Sequence, residues 1–84
     1  MFNIIILNEK DNIGIATMDI PKNAETNLNL ISKEKIPYGH KISLKKIGKG
    51  EYVYRYGQII GITQCEIDKG KHVHSHNLEF HLSL

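Results

Sequence analysis

Tryptophan is absent from this chain, cysteine and arginine each occur once, and the longest unbroken apolar run is Ile4 to Leu7. A lone Cys65 excludes an internal disulfide, and without Cys-x-x-Cys spacing a structural zinc site has no scaffold. Cys65 lies in the Ile-rich stretch 59–67, so a small buried thiol is the expectation rather than a nucleophile. With Arg55 as the only arginine, scattered lysines and a formal charge of +2, the basic face with interleaved aromatics that nucleic-acid binding requires is missing. The lysines read as a solvated surface with charged sheet edges. A four-residue apolar run is too short for a signal peptide or a membrane span, so a cytoplasmic chain is expected. Apolar spacing of the i, i+3, i+4, i+7 kind is absent as well, so any helix is short.

What remains is β material. Eighty-four residues hold one small domain, 1–84, with room for a single modest core, and 40% apolar residues argue against disorder. Short runs at 3–7, 13–18, 27–31, 41–47, 51–56 and 59–67 alternate or cluster apolar residues between polar, Gly-containing breaks. Leu28 and Leu30 share one face of their run, and Tyr52, Tyr54 and Tyr56 share another. A weak internal echo links "IPKNAET" (20–26), "IPYGHKI" (36–42), "IGKGEYV" (47–53) and "IDKGKHV" (67–73). Each offers an anchoring Ile, turn residues, usually a Gly, and then a new strand. The intervals are uneven, which excludes a solenoid and favours a compact, irregular, barrel-like β fold.

Four of the five histidines fall in "GKHVHSHNLEFH", residues 70–81. On a strand, alternate side chains share a face and stand about 7 Å apart. His74 and His76 can therefore chelate one ion, whereas His72 and His76 lie roughly 14 Å apart on a regular strand. Histidine with Asn77 or a carboxylate suits Fe(II), Mn(II) or Zn(II). The plainer alternative is a polar exterior face. His40 and Lys41 follow a Pro-x-Gly turn, where a base and a carboxylate anchor compete with a simple solvated strand start. Asp11 and Asn12 shape a turn or orient a histidine. Tyr56 with Gly57 marks a place where another chain or a ligand can approach the backbone.

The phrases "DNIGIA", "IPYGHKI", "YGQIIGIT" and "IDKGKHVHSHNL", in that order, resemble the SAF domain of the altronate and galactarate dehydratase family, also found as the small subunit of sulfolactate sulfo-lyase. The likeness runs from about Asp11 to Leu78, and "G-x-x-V-H-x-H-N", met by Gly70, Val73, His74, His76 and Asn77, is its most distinctive part. It implies a β-clip fold and a place as small subunit or accessory domain of a lyase that removes water or sulfite from a sugar acid or related hydroxy acid. It further implies a divalent metal, Fe(II) or Mn(II), a small acidic substrate, and a larger catalytic region. On that likeness His74 and His76 are metal or leaving-group contacts, Asn77 donates to a substrate oxygen, and His40 and Lys41 handle proton transfer and carboxylate binding. Asp11 and Asn12 stand behind them or touch substrate, and His72 and His81 are bystanders. A stand-alone module binding acidic sugars is the competing expectation. Strand edges and the tyrosine face offer a surface to a second copy or to the larger partner.

Overall fold

The computed structural model describes residues 1–80, and among them there is no helix. Seven short strands form: β1 Ile4–Ile5, β2 Ile13–Ala16, β3 Lys41–Ser43, β4 Tyr52–Arg55, β5 Gln58–Thr63, β6 His72–Val73 and β7 Leu78–Phe80. They divide into two open antiparallel sheets, ordered β1-β2-β3-β6 and β4-β5-β7. The mainly β, short-strand architecture expected from the punctuation is what the chain adopts.

The internal echo is the organising device of the fold, and it is longer than its isoleucines. Four eight-residue segments, 16–23, 32–39, 43–50 and 63–70, each place an Ile at the fifth position and a left-handed residue at the eighth. The isoleucines, Ile20, Ile36, Ile47 and Ile67, are all buried, and they pair by reciprocal backbone hydrogen bonds as Ile20 with Ile36 and Ile47 with Ile67. The left-handed residues are Asn23, Gly39, Gly50 and Gly70, with φ of 62°, 81°, 78° and 87°. A positive φ at the third turn position is what a type II turn requires, which is why Gly, or Asn, recurs there. Each left-handed N–H donates to the first residue of the partner segment: Asn23 to Ser32, Gly39 to Ala16, Gly50 to Thr63 and Gly70 to Ser43.

Those first residues also plug the partner's turn. Ser32, Thr63 and Ser43 are buried, and their hydroxyls donate to the carbonyls of Pro21, Gly48 and Asp68. The same oxygens accept from the N–H groups of Ala24, Glu51 and Lys71, three residues further on. One buried hydroxyl thus bonds two polar groups of the turn it faces. The fourth plug position is Ala16, which has no hydroxyl, and the turn it faces is the one that delivers His40.

Two apolar clusters follow. One gathers Ile4, Ala16, Ile20, Ala24, Leu30, Ile36 and Ile42; the other gathers Ile13, Ile47, Val53, Ile67, Val73 and Leu78. Side-chain amides join the pieces by standing in for strands. Asn12 donates to the Tyr52 carbonyl and accepts from the Tyr54 N–H, clasping β4 across buried Val53. Asn27 brackets Ile4 in the same way and covers the outer edge of β1. Asp11 accepts from the Tyr56 and Gly57 N–H groups at 3.1 and 2.8 Å, fixing the two-residue turn between β4 and β5.

Three local expectations change. Residues 27–31 form a turn, closed by Thr26 on the Leu30 carbonyl, because Asn29 goes left-handed at φ 56°. Leu28 and Leu30 still reach the same core. The tyrosine face breaks, since the β4 register shifts between Val53 and Tyr54 and Tyr56 turns at φ 56°. Cys65 is exposed, because β5 ends at Thr63 and the chain turns before Ile67 returns to the core.

The plugs make a direct prediction. Ser43→Ala leaves the Lys71 N–H and the Asp68 carbonyl with only their own 3.3 Å turn bond, and is expected to cost about 0.5–1.5 kcal/mol. Ala16→Ser supplies the missing hydroxyl and is expected to stabilise the chain by about 0.5–1.5 kcal/mol. Urea unfolding of both variants checks the pair, and a destabilised Ala16→Ser would show that the fourth turn is not equivalent to the others.

Candidate functional site

Two of the repeated turns build the site. Gly39 hands the chain to His40 and β3; Gly70 hands it to Lys71 and β6; and β3 pairs with β6 in the register Lys41–Val73 and Ile42–His72. His40 and His72 therefore meet at one sheet edge. Their rings stack 5.0 Å apart, and Nδ1 of His40 lies 2.8 Å from Nε2 of His72.

The period-2 argument fails beyond Val73, because β6 ends there. Asn77 explains the break. Its side chain accepts from the His74 N–H at 2.9 Å and donates to the His72 carbonyl at 2.8 Å, while the N–H groups of Asn77 and Leu78 return to the His74 carbonyl. The clasp curls residues 74–77 and swings His74 back over the sheet edge. Its ring stacks on His40 at 4.5 Å and on His72 at 5.5 Å. His40, His72 and His74 each present a ring nitrogen, and these atoms lie within 4.8 Å of one another. His76, exposed, tilts against His72 with 5.2 Å between rings, so the roughly 14 Å separation of a regular strand does not apply.

The electrostatics favour neutral imidazoles. Burial, then the neighbouring histidines, pushes His72 down to about 4, against only partial relief from Glu34. Burial, then His40, Lys41 and His76, also lowers His74. Glu34 is held by the His72 N–H at 2.9 Å and faces Lys71 at 4.0 Å. The Nδ1 of His74 is buried without a hydrogen-bond partner. Three converging imidazoles and one buried, unpartnered ring nitrogen form a donor set that fits a borderline divalent ion. Lys41 sits beside them with its ammonium 5.3 Å from the Phe80 ring, lowered by burial and then by Arg55.

Of the residues singled out from the sequence, His40, Lys41, His74, His76 and Asn77 gather at this edge. Asn77 has its amide engaged by backbone, and Asp11, Asn12, Tyr56 and Gly57 belong to the clasp between sheets described above. His72, set aside as a bystander, stands at the centre of the cluster. The signal for it was the echo, which gives "GHK" and "GKH" the same place after equivalent turns. His81 lies outside the described residues.

His72 predicts a pH dependence of the chelator-treated chain. Its folded value of about 4 lies below its ordinary 6.5, so between these the unfolded chain takes up a proton that the folded chain refuses. Stability is therefore complete above 6.5 and falls as pH drops toward about 4. Thermal unfolding followed by circular dichroism is expected to show that fall, and a smaller one in His72→Gln.

Comparison with known proteins follows the same residues. The altronate/galactarate dehydratase SAF domain matches residues 2–81. Altronate dehydratase from Escherichia coli K12 is 36% identical over 76 residues, covering 87% of this chain and 15% of that protein. Its namesake from Bacillus subtilis 168 is 34% identical over 99% of this chain and 17% of its own length. The (2R)-sulfolactate sulfo-lyase subunit alpha of Paracoccus pantotrophus is 38% identical over 62% of this chain and 78% of its own. The chain thus spans about one sixth of the altronate dehydratases it matches. Carried by a match along nearly its whole length, the chain belongs to the altronate/galactarate dehydratase SAF domain family.

Proposed function

We propose that this chain is the small module of a metal-dependent lyase that removes water, or sulfite, from a hydroxy acid such as altronate or galactarate, together with a larger catalytic region. The observation that carries the reading is the convergence of His40, His72 and His74 beside Lys41 at one half-buried sheet edge. Size supports the partner: altronate dehydratases are about six times longer than the matched part, while the sulfo-lyase alpha subunit is mostly matched.

Elimination next to a carboxylate needs a base for the carbon-bound proton, cationic help for the carboxylate, and an acid for the leaving group. A divalent ion, Fe(II) before Mn(II), held by the converging imidazoles, supplies Lewis acidity for the substrate oxygens. With His40 inside the cluster, Lys41 is the remaining group to handle the proton. Burial and Arg55 lower its basicity, so more of its amine is neutral and able to accept a proton at Nζ. In its charged form the same Nζ pairs with the substrate carboxylate. His76, exposed at the rim, is placed to carry a proton to the leaving group. Asn77 holds the His72 and His74 backbone in place, while Asp11 and Asn12 keep the Tyr56–Gly57 turn and β4 against the first sheet.

Co-expression with a dehydratase- or lyase-type large region from the same genome tests this. Substrate dehydration or sulfite release is expected only when both parts are present, with Lys41→Met lowering kcat by about 10²–10⁴-fold in an intact complex. Failure of the two parts to associate, or full turnover by Lys41→Met, would overturn it.

A second reading, a module that binds an acidic sugar without metal, is favoured by a separate cleft. Lys10, Lys45, Lys46, Tyr52 and Tyr54, with Asn12 and Glu51, line a cavity of about 300 Å³ that includes none of the histidines. Titration with galactarate in chelator distinguishes the two. This reading expects saturable binding that Lys45→Glu with Lys46→Glu abolishes and His74→Ala leaves intact, and absence of binding removes it.

A further inference from the structure

We infer that the chain holds its metal ion unaided, through His40, His72 and His74, and that Asn77 is the positioning residue that gives the set its geometry. The inference deepens the lyase reading and rests on it only for what the ion does.

The spacing is that of ligands on one ion. Two imidazole nitrogens bonded at about 2.1 Å stand roughly 3.0–3.4 Å apart on an octahedral or tetrahedral centre. His40 Nδ1 and His72 Nε2 are already 2.8 Å apart, and a His74 nitrogen completes a triangle within 4.8 Å. In the metal-free chain one of the two close nitrogens carries the proton and donates it to the other. Binding requires a tautomer change of that ring and a small adjustment of the rings that brings the His74 nitrogen in.

The unpartnered Nδ1 of His74 supplies a second observation. Buried side-chain nitrogens are nearly always hydrogen-bonded, and this is the single exception among the described residues. An atom of this kind on a ring whose nitrogen converges with two other imidazoles has a ready partner in a cation. The nearby carboxylate, Glu34, is engaged with the His72 N–H and Lys71, so the set is three imidazole nitrogens with open positions for substrate oxygens.

Asn77 fixes two of the three ligands. Its amide bridges the backbone on both sides of buried Val73, which sets where His72 leaves the strand and where His74 turns back. The His72 and His74 rings are consequently almost parallel, 9° apart. His76 lies beyond the clasp, exposed and tilted 34° to His72, outside the set.

The test uses the 84-residue chain and Co(II), with Mn(II) and Zn(II) alongside, and needs no turnover. Calorimetry is expected to give one ion per chain, and Co(II) a visible ligand-field band. His40→Gln, His72→Gln and His74→Gln are each expected to weaken binding tenfold or more, while His76→Gln changes it less than about threefold. Asn77→Ala is expected to weaken binding about 10–100-fold and to shift the Co(II) band, a change that simple loss of stability does not produce. Mn(II) broadening of the imidazole resonances of the unsubstituted chain, strongest at His40, His72 and His74, gives the same answer should a variant not fold. Absence of saturable binding overturns the inference, as does loss of binding in His76→Gln with retention in His40→Gln. Lyase activity with the larger region that survives loss of this binding overturns the inference alone and leaves the functional reading standing.

Discussion

The structure depends on a reciprocal exchange between turns. In a chain this small, four tight turns each hang on a buried Ile whose backbone polar groups lie away from water. Leaving such a group unpaired costs about 1–3 kcal/mol, a large part of the stability of so short a domain. The solution is to let segments close one another. Ile20 and Ile36 pair, as do Ile47 and Ile67, and each segment's first residue receives the left-handed N–H of its partner. Where that residue is Ser32, Ser43 or Thr63, its hydroxyl plugs the turn as well. The apolar clusters fill around this frame, and the strands are short because the turns, rather than long ladders, hold the chain.

The same exchange places the chemistry. His40 and Lys71 occupy equivalent positions at the ends of the second and fourth turns, which belong to different pairs. The β3–β6 pairing brings these two turns to a single edge, so residues 32 positions apart in sequence become hydrogen-bond neighbours. The one turn without a hydroxyl plug, facing Ala16, is the turn before His40. There the His40 N–H reaches the Pro37 carbonyl unaided, at 3.0 Å.

Much of the fold was legible because turns and burial are local. Ile followed three residues later by Gly announced three of the four turns, Asn23 standing in at the other, and the apolar runs announced most strands. The hydroxyl plugs were not legible, since Ser43 acts on Asp68 and Thr63 on Gly48, and a buried serine looks like any other in sequence. The site was half legible for the same reason. His74 and Asn77 stood out in a family-like phrase, but the geometry assigned to them assumed a continuous strand. A single side chain, Asn77, ends that strand and turns a linear row of histidines into a cluster. His40 entered through a long-range pairing that local spacing does not encode. Asp11 and Asn12 looked like substrate groups because polar residues in a marked phrase invite that reading. Their oxygens and amide are engaged by backbone across the sheet boundary.

Consistency across the rest of the molecule is what gives the histidine edge its meaning. A buried serine, threonine, asparagine or aspartate elsewhere in the fold has partners: Ser32, Ser43, Thr26, Thr63, Asn12, Asn77 and Asp11 are each hydrogen-bonded. A sequence that solves this problem so often departs from the rule at one described atom, Nδ1 of His74, and does so among three stacked imidazoles. Burial, and then the neighbouring imidazoles, also holds His72 neutral well below its ordinary range, at a cost in stability as pH falls. A structural role asks for neither feature, because an apolar side chain at each position would pack without an unpaired nitrogen or a titration penalty. Departures of this kind collect where a protein meets its ligand. The orphaned nitrogen and the crowded rings thus fall together at the edge on which the proposed function rests.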